Sequence, residues 1–153
     1  MTDTPATASA RHQRPAACLR RFLFGAPYYP EHWSAADRAD DADRMADAGV
    51  NVVRMAEFAW DRIEPAPGRF DFSIFDETIA ALGERDIDTI LCTPTATPPR
   101  WLTAEHPEWM RVDESGRAME HGTRQHCCTT NPGFRGESVR ITRAMAGHYA
   151  DNP

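Results

Sequence analysis

The sequence predicts an α/β fold made of three consecutive β/α units, and three features predict it. Short apolar runs, β-branched at their centres, alternate with stretches that repeat apolar residues at helical spacing. The helical stretches open on capping residues. Glutamate, histidine and threonine residues sit just past the strand ends, where barrel enzymes build their sites.

The first run, Phe22-Leu23-Phe24-Gly25-Ala26-Pro27-Tyr28-Tyr29, reads as a buried strand that ends at Pro30. Ser34 follows as a helix N-cap with Asp37 as its capping-box partner. Ala39, Ala42, Met45 and Ala46 keep one helix face apolar, and Gly49 supplies the stop. The second strand is Asn51-Val52-Val53-Arg54-Met55-Ala56, β-branched at its core. A loop with Pro65, Pro67 and Gly68 leads to a second capping box, Ser73 with Asp76. Phe75, Ile79 and Leu82 then mark a helix at spacings of four and three. Thr89-Ile90-Leu91-Cys92-Thr93 forms the third strand, stopped by Pro94. A long loop runs from Pro94 to about Thr130. Asn131 and Pro132 open the third helix as N-cap and first residue, and its apolar face carries Phe134, Ile141 and Met145.

Strands alternating with helices give parallel βαβ units with right-handed crossovers. Periodicity alone leaves two architectures open, a doubly wound sheet and a (β/α)8 barrel. No strand is followed by a Gly-x-Gly-x-x-Gly turn, so the dinucleotide-binding version of the first has no support. Glu31, His32, Glu57 and Thr93 to Thr97 all lie just past strand ends, on what is the active-site rim of a barrel. A barrel takes about 250 residues, so 153 residues hold only about the first three units.

Composition narrows the class of function. Hydrophobic residues at 41% and charged residues at 26% are those of a soluble globular protein. All 17 basic residues are arginine, as a GC-rich coding bias produces. The net charge of -6, spread along the chain, argues against a nucleic-acid partner, which needs a basic surface. Cys18, Cys92, Cys127 and Cys128 make no disulfide framework and read as reduced thiols of a cytoplasmic protein. No apolar run approaches the about 20 residues of a membrane span. Residues 1–20 hold Arg11, Arg14 and Arg20 without an apolar core, so they read as a disordered extension rather than a secretory signal.

Five segments carry a more specific signal. They are Tyr28-Tyr29-Pro30-Glu31-His32-Trp33; the stretch from Asn51 to Arg54 continuing into Met55-Ala56-Glu57-Phe58-Ala59-Trp60; and Glu64-Pro65 with Gly68-Arg69-Phe70-Asp71-Phe72. Then come Thr93-Pro94-Thr95-Ala96-Thr97-Pro98-Pro99-Arg100-Trp101-Leu102 and Gly122-Thr123-Arg124-Gln125-His126-Cys127-Cys128. In this order they resemble the N-terminal part of the glycoside hydrolase family 42 β-galactosidases. The resemblance covers Phe22 to Tyr149. It implies an α/β fold of the (β/α)8 TIM-barrel type, with residues 21–153 forming the N-terminal part of the catalytic barrel.

The resemblance also implies an activity, retaining hydrolysis of terminal β-D-galactosides by two glutamates. One carboxyl protonates the leaving oxygen while the other attacks the anomeric carbon, at a separation of about 5–5.5 Å. In the family the acid/base follows an asparagine at the end of the fourth strand, and the nucleophile lies at the end of the seventh. Asn51, Asn131 and Asn152 are followed by valine, proline and proline, so both glutamates are expected beyond Pro153 and these 153 residues are expected to be inactive alone. Two other readings stay open, a different retaining (β/α)8 glycosidase and an inert or merely sugar-binding remnant. A homotrimeric parent enzyme is implied, with no cofactor required for the chemistry.

Particular residues gain roles from the same resemblance. Arg124 corresponds to the arginine that binds the galactose, where a permanently charged fork can reach two hydroxyls at once; the plain alternative is an arginine that braces its loop. Cys128 corresponds to one of four ligands of a structural zinc found in some members, against the alternative of a buried thiol. Glu31 and Glu57 read as rim carboxylates bound to Arg54 or Arg124 rather than as a catalytic pair. Trp33, Trp60 and Trp101 serve either to stack on sugar or to pack.

Overall fold

The computed structural model describes residues 21–152; the extension expected over residues 1–20 falls outside them. The element order is β1 (Gly25–Pro27), a 3-10 turn (Pro30–His32), α1 (Ala35–Asp47), β2 (Val52–Met55), α2 (Trp60–Ile63), α3 (Ser73–Gly83), β3 (Asp88–Leu91), α4 (Arg100–Glu105), a second 3-10 turn (Pro107–Trp109) and α5 (Pro132–His148). The three strands are parallel, in the order β1-β2-β3. The alternation of strand and helix is thus that expected from the sequence.

Capping decides where the long helices begin. The Ser34 hydroxyl accepts from the Asp37 amide at 3.2 Å and donates to the Asp37 carboxylate at 2.6 Å. At the other end of α1, Gly49 takes φ +78°, and Val50 N–H reaches back to the Met45 carbonyl at 2.9 Å, a Schellman closure that a side chain at Gly49 would strain. Asn131 caps α5 as expected, its Oδ1 accepting from the amides of Gly133 and Phe134 at 2.9 and 3.2 Å.

The second capping box differs from its sequence reading. Ser73 is already inside α3, and both its amide and its hydroxyl donate to Asp71 Oδ1, at 3.0 and 2.6 Å. Asp76 turns away to His148 of α5, at 2.8 Å from Nε2. Local spacing shows that a serine and an aspartate can pair, but not which of two nearby aspartates takes the hydroxyl.

The first strand is shorter and more exposed than expected. Only Gly25–Pro27 pairs, and Phe22 and Phe24 are 84% and 52% exposed. β1 is an edge strand among the described residues, which leaves both rings largely uncovered there. Asn51 continues the ladder through its side chain, accepting from Phe24 N–H at 2.9 Å and donating to Phe22 O at 2.8 Å. Gly25 is required where β1 meets β2, because a Cβ there would lie 1.6 Å from the Val52 carbonyl oxygen.

Register sorts the sheet into two faces. Val53 pairs with Thr89 and Met55 with Leu91 on one face, Arg54 with Ile90 on the other. The first face is the core: Val53 and Met55 lie under Phe75 and Leu82 of α3 and Phe134, Ile141 and Met145 of α5. The second is open, with Ile90 half-exposed. Ile90 and Leu91, neighbours along β3, therefore point to opposite faces, and only Leu91 shares the core side with Val53. The loop expected from Pro94 to Thr130 also contains α4 and two short bridges, Met110 with Cys127 and Val112 with Ala118.

Candidate active-site rim

The chain leaves each strand at the same edge of the sheet, and the three exits meet there. Beyond β1, Tyr28 turns back into the core and donates to Asp41 at 3.1 Å, so Tyr29 faces the rim. Beyond β2, Ala56 adopts φ +75°, a conformation alanine rarely takes, and this turn sets Glu57 and Phe58 against Tyr29. Glu57 is buried and accepts from Arg54 Nη2 at 2.7 Å and from Tyr29 Oη at 3.1 Å. Burial first, then the bond to Glu57, raises the Tyr29 phenol above its ordinary range, which keeps the hydroxyl a donor. Burial and then the charge of Glu57 do the same to the Cys92 thiol just past β3.

Arg124 arrives at this rim from the last loop. The loop is pinned on both sides: Gln125 N–H donates to Ala96 O at 2.8 Å, and Arg111 N–H donates to His126 O at 2.8 Å. His126 is buried, and its Nδ1 meets the Thr123 carbonyl; a carbonyl only accepts, so that nitrogen carries the proton. Gln125 at φ +54° and Gly122 at φ +103° then throw Arg124 outward. Its guanidinium carbon lies 4.3 Å from the centroid of the Phe58 ring, and the side chain is exposed. Among the described residues no carboxylate pairs with it.

The other expected site residues divide clearly. Glu57 does hold Arg54, as read from the sequence. Glu31 does not hold an arginine: one of its oxygens is buried without a partner, and burial raises its carboxyl above the ordinary range. Trp60 and Trp101 are packing residues whose indole N–H groups donate to the Glu64 carboxylate at 2.9 Å and the Glu64 carbonyl at 3.0 Å. Trp33 is exposed. Sequence reasoning missed Phe58 and Tyr29 as partners of the rim charges, because their meeting depends on how strands 28 residues apart are paired.

Cys128 and its neighbour behave oppositely. The Thr130 hydroxyl, 3.1 Å from Sγ, and backbone amides of Thr130 and Asn131 hold the half-exposed Cys128 thiol below its ordinary range. Burial pushes Cys127 up to about 11. Since the thiolate is the reactive form, iodoacetamide near neutral pH is expected to label Cys128 well before Cys127, as read by peptide mass spectrometry. Labelling of Cys127 first would contradict these surroundings. Among the described residues no three His, Cys, Asp or Glu side chains are grouped to hold a metal ion, so they do not make a zinc site by themselves. No helix among them is long and apolar enough to cross a membrane.

Comparison with known families gives this rim a context. The glycoside hydrolase family 42 model, described as beta-galactosidase, matches residues 27–153. The chain belongs to that family. It is 48% identical over 128 residues to β-galactosidase YesZ of Bacillus subtilis, covering 84% of this chain and 19% of that protein. With β-galactosidase BgaH of Haloferax lucentense it shares 46% over 129 residues, 84% of this chain and 20% of the relative. Among solved structures, the β-galactosidase of the Antarctic haloarchaeon Halorubrum lacusprofundi superposes with a TM-score of 0.83 at 44% identity, over 86% of this chain and 20% of that one. The chain thus spans about a fifth of the length of the curated relatives it matches. Its three β/α units are the first of the family's (β/α)8 TIM barrel, as expected from the sequence.

Proposed function

We propose that residues 21–153 are the N-terminal part of the catalytic barrel of a larger enzyme, which hydrolyses terminal non-reducing β-D-galactosides with retention of configuration. One observation carries this reading: a guanidinium with no carboxylate partner among the described residues, presented by a pinned loop at the strand-end rim of a family 42 barrel. In this reading Arg124 hydrogen-bonds the galactose, its planar fork giving two parallel donors to neighbouring hydroxyls. Glu57, already bound to Arg54 and Tyr29, shapes the rim and does no chemistry.

The acid/base and the nucleophile both come from residues outside 1–153. A pair of carboxyls about 5–5.5 Å apart is what retention demands. The reaction needs no cofactor. Cys128 enters only as one thiolate of a structural zinc whose other ligands lie outside residues 21–152. A homotrimeric, cytoplasmic enzyme completes the proposal, and light scattering tests the trimer. The reaction is tested on the whole enzyme with nitrophenyl β-galactoside, following the first-formed sugar by proton NMR. Initial release of β-galactose is expected; initial α-galactose, or no hydrolysis, contradicts the proposal.

A further inference from the structure

We infer that Phe58 is the positioning residue for Arg124, and that it works as the last link of a brace running through all three strand-end loops. The inference rests on Arg124 being the sugar-binding arginine, and it says what aims that side chain. An exposed arginine has several rotatable bonds, so an unguided guanidinium loses much of its binding gain to the cost of being ordered.

The brace can be followed link by link. Arg54, on the open face of β2, donates to Glu57 at 2.7 Å and fixes its carboxylate. Glu57 accepts from Tyr29 Oη at 3.1 Å and so holds that ring from its far end. The Tyr29 ring stacks on Phe58 with centroids 5.9 Å apart and planes 25° from parallel. The Phe58 carbonyl in turn accepts from Thr97 Oγ1 at 2.9 Å, tying the loop after β2 to the loop after β3. That loop carries the Ala96 carbonyl, which holds Gln125 beside Arg124. Both the backbone and the guanidinium of the Arg124 segment are therefore referred to Phe58. The guanidinium carbon lies over the negative face of the ring at 4.3 Å, and among the described residues no acceptor takes its N–H groups. A carboxylate in place of the ring would hold the arginine as well, but it would consume those donors.

The test is a double-mutant cycle in the whole enzyme. Phe58→Leu keeps an apolar side chain but removes the quadrupole, and is expected to lower kcat/KM on nitrophenyl β-galactoside by about fivefold, the scale of one cation–π contact. Phe58→Tyr, which keeps the ring, recovers most of that loss. In an Arg124→Ala background Phe58→Leu has no further effect, because the group it positions is gone. Tyr29→Phe, which removes only the bond to Glu57, gives a smaller loss that also disappears in that background. An equal loss with and without Arg124, or wild-type kinetics for Phe58→Leu, overturns the inference while leaving the galactosidase reading intact. A wild-type enzyme that hydrolyses no galactoside overturns both.

Discussion

Replacing Glu64 by alanine is expected to lower the unfolding free energy of the whole enzyme by about 3–5 kcal/mol, since each buried donor left without its acceptor costs about 1–3 kcal/mol. Glu64 has no exposed surface, yet every face of its carboxylate is used. One oxygen accepts from Gly68 N–H at 2.7 Å and Arg140 Nη1 at 2.8 Å; the other accepts from Trp60 Nε1 and Arg140 Nη2, each at 2.9 Å. A single side chain thus joins α2, the turn that follows it and α5. Glu64 and then Glu137 raise the Arg140 guanidinium further above its ordinary range, so it is charged whenever the protein is folded. Alanine would leave an indole N–H and an amide unpaired in or near the core and would leave Arg140 with Glu137 alone, and each unmet buried donor is expensive. Glu64→Gln keeps the shape and two of the acceptor contacts, and should cost roughly half as much. Urea unfolding followed by tryptophan fluorescence measures both. A change below about 1 kcal/mol for the alanine variant, the size of an ordinary surface substitution, would mean that the Glu64 cluster does not hold these elements together.

The second large effect falls on activity. Arg124→Ala is expected to lower kcat/KM of the whole enzyme about ten- to a hundredfold, since a charged hydrogen bond contributes about 1.5–3 kcal/mol. Stability should scarcely move. The side chain is exposed, and among the described residues its contact is the Phe58 ring rather than a carboxylate. This separation of effects distinguishes a binding arginine from one that braces its loop. Wild-type kinetics on nitrophenyl galactoside would remove Arg124 from the site, and a collapse in stability would return it to the bracing role.

How far the sequence could be read depended on the range of the physics involved. The Ser34 and Asn131 caps and the Gly49 stop are set within a few residues, and the structure has them where spacing places them. Asp71 and Asp76 were exchanged because two carboxylates lie within reach of Ser73, and the choice between them depends on His148 far along the chain. The core-facing sides of β2 and β3 are illegible in the sequence for a different reason. Four-residue strands with apolar side chains on both faces carry no alternation to mark the core. Helix α4 went unseen because Pro98 and Pro99 read as loop, although proline is tolerated where a helix begins. At the rim, Arg124 was legible only through its motif. Its setting over Phe58, and the bond between Tyr29 and Glu57, follow from strand pairing that no local pattern records.

The catalytic carboxyls are proposed to lie outside these residues, in a barrel that must close to work. Three parallel strands leave β1 and β3 with unpaired edges among the described residues, the open face shows Ile90 half-exposed, and Phe22 and Phe24 ahead of β1 are exposed as well. Closure requires a full set of strands with matched tilt and shear, and free edges template aggregation. The most direct measurement is therefore nitrophenyl β-galactoside turnover by the purified 153-residue polypeptide beside the whole enzyme. Turnover by the whole enzyme and none by the polypeptide, which should also aggregate rather than melt cooperatively, is the expected result. Galactoside hydrolysis by the 153 residues alone would contradict it.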